Sequence, residues 1–99
     1  MGRNHAVRIT VQKRLFHQDL IEAYADHPES WTPCPEFAEG DVFVVGPDAP
    51  WDKPEGFCGW AWADMQKMVW SMSRGGPQRF VTCCTDGYRP VVFLLERID

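Results

Sequence analysis

Residues 58–77, "CGWAWADMQKMVWSMSRGGP", decide the fold. Cys58, Trp62, Met65, Val69 and Met72 recur at alternating intervals of four and three, the spacing that lines up side chains on one stripe of a helix. The pattern predicts a helix over 58–74, with Ala61 and Met68 beside the stripe. Gly75-Gly76-Pro77 ends it, because glycine relieves the left-handed turn after a helix and proline cannot continue one. A helix with a single apolar stripe needs an apolar surface to lie on, and the next residues supply it. Residues 78–84 and 89–97 read as two strands around Asp86-Gly87, a pair that tolerates the positive φ of a type I′ hairpin turn. With that turn Thr85 opposes Tyr88 and Cys84 opposes Arg89. Phe80, Thr82, Cys84, Val91, Phe93 and Leu95 then share the face expected to meet the helix. Cys83 lies on the other face with Val81, Val92 and Leu94.

Upstream, residues 6–12, "AVRITVQ", alternate apolar and polar as a half-buried strand does. Residues 15–26, "LFHQDLIEAYAD", change period and predict a short helix with Phe16, Leu20, Ala23 and Tyr24 on one side, ended at His27-Pro28. A proline-punctuated loop covers 28–40, a short strand 41–46 ("DVFVVG"), and an exposed loop 46–56. The order is β-α-β-α-β-β with no internal repeat. The expected fold is a single α+β domain over 1–99, with a mainly antiparallel sheet and helices packed on one face. A small half-open barrel is the alternative.

The formal net charge of −4 disfavours nucleic acid as a partner, since a basic patch is needed to neutralise phosphates. Arg3, Arg8, Lys13 and Arg14 are read as the solvated face of the first strand and its exit. No apolar run approaches the roughly 20 residues that span a bilayer, so no membrane partner is expected. The N-terminal "MGRNHAVRIT" lacks the apolar segment of a secretory signal, and Ala6 stands where a myristoylation motif at Gly2 needs Ser or Thr. The expectation is a cytoplasmic protein with reduced cysteines.

Chemistry concentrates on Cys34, Cys58 and Cys84. No C-x-x-C occurs, so neither a thioredoxin motif nor a zinc ribbon is present. Cys58 opens the main helix, where unpaired N–H groups and the helix dipole favour a thiolate, which makes it the candidate catalytic residue. Gly56 and Gly59 flank it. They either let a ligand approach or, at Gly59, relieve crowding against the sheet. Cys34 sits between prolines, and Cys84 at a strand end on the helix-facing side. Three thiolates suit zinc or another soft metal, with water, His17 or Asp86 completing the shell. The bland alternative for each cysteine is a small buried hydrophobe.

Trp60, Trp62 and Arg89 are the candidate ligand-binding residues. Trp62 belongs to the apolar stripe and so is also a core candidate. Trp60 and Trp70 lie off it and need a cover: a loop carrying Trp51 or Trp31, a second subunit in a homodimer, or a flat ligand. Arg89 stands ready to hold an anion over Cys84 or to pair with a carboxylate. No nucleophile elbow and no phosphate loop is present.

The segments "CPEFAEGDVF", "PEGFCGWAWADM" and "CTDGYRPVVFLLERI" resemble a family of short prokaryotic proteins of unassigned function. The resemblance runs from "VRITVQKRLFHQDL" to "ERI". It implies that the cysteines at 34, 58 and 84 are typical of the family and that Cys83 is incidental. The segment "GGPQRF" is shorter than the family's usual insert after the helix glycines, which implies a trimmed loop there. Two function classes stand after this reading. One is a cysteine-centred site for a soft metal or a thiol-reactive small ligand, with catalysis as an extension. The other is a non-catalytic binding or assembly module with structural cysteines.

Overall fold

The computed structural model describes residues 4–98; Gly2 and Arg3, one a candidate modification site and the other part of the basic N-terminal stretch, lie outside the described residues. Strand β1 (Val7–Arg14) leads to helix α1 (Gln18–Tyr24), a 3-10 turn (Pro28–Ser30), strand β2 (Val42–Val45), helix α2 (Gly59–Ser73) and strands β3 (Arg79–Cys83) and β4 (Val91–Arg97). The four strands form one antiparallel sheet in the order β2-β1-β4-β3. This is the expected α+β domain with the expected element order.

Alternation along the central strands sets the two faces. Val7, Ile9 and Val11 of β1 and Val91, Phe93 and Leu95 of β4 are buried on the inner face, where α2 lies with Ala61, Trp62, Met65, Val69 and Met72. The helix stripe read from the sequence is therefore the buried one. A bulge between Val11 and Lys13 shifts the pairing of β1 with β4 by one residue, so Lys13 pairs with Val92 and turns to the outer face. α2 ends in a Schellman motif. The Gly76 N–H donates to Ser71 O at 2.8 Å and the Gly75 N–H to Met72 O at 3.1 Å, with Gly75 at φ +96°. A Cβ at Gly76 would lie 2.7 Å from the Ser71 carbonyl oxygen, so no larger residue fits that close return.

Three details differ from expectation. The β3–β4 connection is not a two-residue turn. Cys83 pairs with Val92, the Cys84 N–H donates to Val91 O, and residues 85–90 form a longer loop without positive φ at Asp86 or Gly87. Pro90 has no N–H to give the ladder. Asp86 Oδ1 instead accepts from the Tyr88 and Arg89 N–H groups at 3.0 and 3.3 Å. The register moves by two residues, so the facing of every β3 side chain is unchanged.

α1 buries Ile21, while Leu20 and Tyr24 are exposed. It lies beyond the Arg14–Val91 end of the sheet, tied there by Leu15 N–H to Pro90 O and His17 N–H to Tyr88 O, both at 2.8 Å. There it has no broad sheet surface for a wide stripe to cover. The 46–56 loop is only partly exposed: Pro50 is fully buried, and Trp51 packs on Trp70 with ring centroids 5.6 Å apart.

Replacing Val69, which is fully buried against the sheet, with Asp is expected to lower stability by on the order of 3 kcal/mol or more, because it buries an unpaired charge. Urea denaturation checks this. A midpoint equal to the parent's would show that the stripe does not carry the core.

Candidate functional site

Two of the three segments that carry the candidate cysteines are anchored by a buried phenylalanine, and the third by hydrogen bonds to β4 and α2. Phe57 precedes Cys58 and is buried against Phe37, Phe43, Phe93 and Trp62. A tight turn delivers it: the Phe57 N–H donates to Pro54 O at 3.1 Å and Gly56 takes φ +79°, the requirement of a type II turn at its third position. Lys53 Nζ donates to Phe57 O at 2.7 Å and fixes the same corner. Cys58 is then the N-cap of α2. Its backbone is extended and its side chain makes no capping hydrogen bond, so Sγ is not committed to the helix's own N–H groups.

Cys34 is placed by Phe37, three residues on, which packs edge-on to Phe93 at 5.1 Å. Arg14 also donates to Cys34 O at 3.0 Å. Cys84 follows β3 directly. Its Sγ accepts the Val91 N–H at 3.3 Å, which orients the sulfur, and the next residue is tied to α2 by the Thr85 N–H donating to Asp64 Oδ2 at 2.7 Å.

These anchors bring Cys34, Cys58 and Cys84 to the wall of one cavity of about 80 Å³. Phe37, Ala61 and Val91 give it an apolar lining; Trp60, Glu36, Thr85, Asp86 and Arg89 complete it. The volume is small beside the roughly 300 Å³ at which drug-sized pockets begin. All four cysteines are free, and Cys83 is exposed on the opposite sheet face, as the alternation requires. Trp60 stands 70% exposed at the rim.

Two of the expected ligand-binding residues, Trp62 and Arg89, stand differently at this cavity. Trp62 is buried beside Phe57 at 6.2 Å and does not reach the cavity wall, because it sits one position further round the helix than Ala61. Arg89 lines the cavity, but its Nε donates to Asp86 Oδ2 at 3.1 Å and its guanidinium lies 4.8 Å from the Trp31 ring centroid. Its charge is thus already matched by a carboxylate.

The donor types would suit a soft metal. Yet among the described residues no group of three or more His, Cys, Asp or Glu side chains is arranged to hold one. The thiols share a pocket without a preformed ligand shell. His17 is not on the cavity wall; Asp86 is. Sequence reasoning missed Glu36 and the tether at Asp64. Glu36 is adjacent in sequence to Phe37, whose burial would have pointed to it. Asp64 answers a backbone N–H twenty-one residues away, and no side-chain pattern encodes that.

No protein-family model, no curated protein and no solved structure matches the chain. None of the helices among the described residues is long and apolar enough to cross a membrane.

Removing the Asp64 carboxylate with Asp64→Ala is expected to cost about 1 kcal/mol and to speed amide exchange at Thr85 at least tenfold. Exchange at Thr85 matching the parent would show that α2 does not hold the strand end.

Proposed function

We propose that the protein binds a small thiol-reactive ligand in this cavity, with Cys58 as the attacking thiol. The observation that carries the reading is the lining itself. Three of eleven lining residues are cysteine in a chain that has only four, and they come from three separate segments. Cys58 is the residue of choice because its Sγ makes no capping bond, whereas Cys84 Sγ already accepts a backbone N–H. The step is an addition. The thiol proton passes to Glu36, which lines the same cavity, or to water. Sγ forms the bond to the electrophilic carbon of a polarised double bond, the π pair moves to that bond's far atom, and the far atom takes the proton back. Trp60 forms the outer wall. The apolar lining and the matched Arg89–Asp86 pair favour a small uncharged ligand over an anion. A reduced, cytoplasmic setting and membership of the resembling prokaryotic family belong to the same proposal.

The second reading, a binding or assembly module with structural cysteines, has its own support. Cys34, Cys58 and Cys84 are partly buried and pack against the core cluster. Alkylation separates the two. In a Cys83→Ser background, which removes the exposed thiol, iodoacetamide is expected to modify Cys58 in the folded protein well before Cys34 or Cys84. If all three stay unmodified until the protein unfolds, the cysteines are core residues and the ligand reading fails. Protection of Cys58 by stoichiometric zinc, reversed by a chelator, would instead make the ligand a soft metal.

Gly59 offers a finer test. A Cβ there meets nothing within 4 Å, and its φ is not positive, so neither crowding nor backbone strain explains the glycine. Gly59→Ala is expected to leave stability unchanged or raise it by up to about 1 kcal/mol while slowing Cys58 alkylation several-fold. An unchanged alkylation rate would show that Gly59 does not serve access.

A further inference from the structure

The outer sheet face and α1 are two surfaces left uncovered at different places in the fold. On the outer face Val42, Thr10, Leu94 and Val81 form one row across all four strands. Val42 and Val81 are 53% and 62% exposed. The next row along the strands places Val44, Arg8, Glu96 and Arg79 side by side. Glu96 accepts from Arg8 at 3.1 Å and pairs with Arg79 at 3.6 Å. The bulge adds Lys13 to this face, so Arg8, Arg79 and Lys13 share it with the Glu96 carboxylate, while the Glu39 carboxylate accepts the Arg14 N–H at its edge. The face is apolar and net basic on a protein of net charge −4.

The segment 18–30, which holds α1 and the 3-10 turn, has the opposite character. It carries Asp19, Glu22, Asp26 and Glu29 and neither Lys nor Arg. Leu20 and Tyr24, one helical turn apart, are 40% and 75% exposed. The segment lies past the Arg14–Val91 end of the sheet, where the His17 N–H donates to Tyr88 O.

We propose that the acidic α1 arm of one copy docks on the basic, apolar outer sheet face of a second copy, and that the exchange is reciprocal in a homodimer. Leu20 and Tyr24 cover the valine row, and the arm's carboxylates face Arg8, Arg79 and Lys13. Packing sheet face on sheet face would oppose like charges, and an outside partner is not needed because this chain carries both complementary surfaces. The contact does not involve the cysteine cavity.

Sedimentation equilibrium at tens of micromolar is the test. The expected result is a dimer whose dissociation constant rises at least tenfold between about 0.05 and 0.5 M NaCl, since exposed charge pairs are screened. Val81→Asp and Tyr24→Ala each alter an exposed side chain. Each is expected to yield a monomer that melts like the folded parent. Tyr24→Cys is expected to form an intermolecular disulfide with the native Cys83 under mild oxidation, and to lose it when Cys83 is replaced by Ser. A parent that stays monomeric at these concentrations overturns the proposal. So does a dimer indifferent to salt and to both substitutions, and one abolished by Trp60→Ala alone would move the interface to the cavity rim.

Discussion

The aromatic cluster of Phe37, Phe57 and Phe93, in which Phe37 meets both of the others edge-on, is the contact on which the rest depends. Their centroids lie 5.0 to 5.6 Å apart, and only Phe93 belongs to a strand. The other two come from loops, which usually remain at the surface because their backbone groups need water. Here each loop gives up one aromatic to the core and keeps its backbone outside. Burying two such rings offsets the entropy of ordering two long connections, since each ring removes on the order of 150–250 Å² from water. The cysteines are held at fixed distances in sequence from these anchors: Cys58 one residue after Phe57, Cys34 three before Phe37, and Cys84 bonded to Val91, two before Phe93. The cavity is therefore a by-product of how the aromatic cluster is closed.

That dependence explains what could and could not be read from the sequence. The stripe of α2 and the alternation of β1 and β4 are local periodicities, and the structure follows them because the core has one helix and one sheet to pair. The facing of Cys84 was legible for a subtler reason. The hairpin turn chosen from Asp86-Gly87 was wrong, since Pro90 cannot serve the ladder and Asp86 makes its own turn. The true register differs by an even number of residues, and parity alone decides which face a strand residue occupies. An odd error would have put Cys83 in the cavity and Cys84 outside.

What was not legible lies in the loops. Nothing in "CPEFAEG" or "DKPEGF" has a period, so Phe37 and Phe57 could not be assigned to the core from spacing. The face of α1 failed similarly: a seven-residue helix offers two turns, too few for a stripe to be told from chance. The tryptophans divide along the same line. Trp70 finds its cover in Trp51 from the loop, with the Arg74 guanidinium 4.4 Å from its ring, while Trp60 finds none.

The glycines around Cys58 carry the argument one step further. Gly56 is required by its positive φ, and Gly76 by the Ser71 carbonyl that a side chain would strike. Gly59 meets neither condition. It occupies the first helical position of α2, and a Cβ there would meet nothing within 4 Å. The fold obtains no packing and no turn from it. In sequence it separates Cys58, whose side chain makes no capping bond, from the exposed Trp60, and both of these line the cavity. Packing and turn geometry leave Gly59 unexplained, which is why the proposed access to the Cys58 thiol is tested at this position.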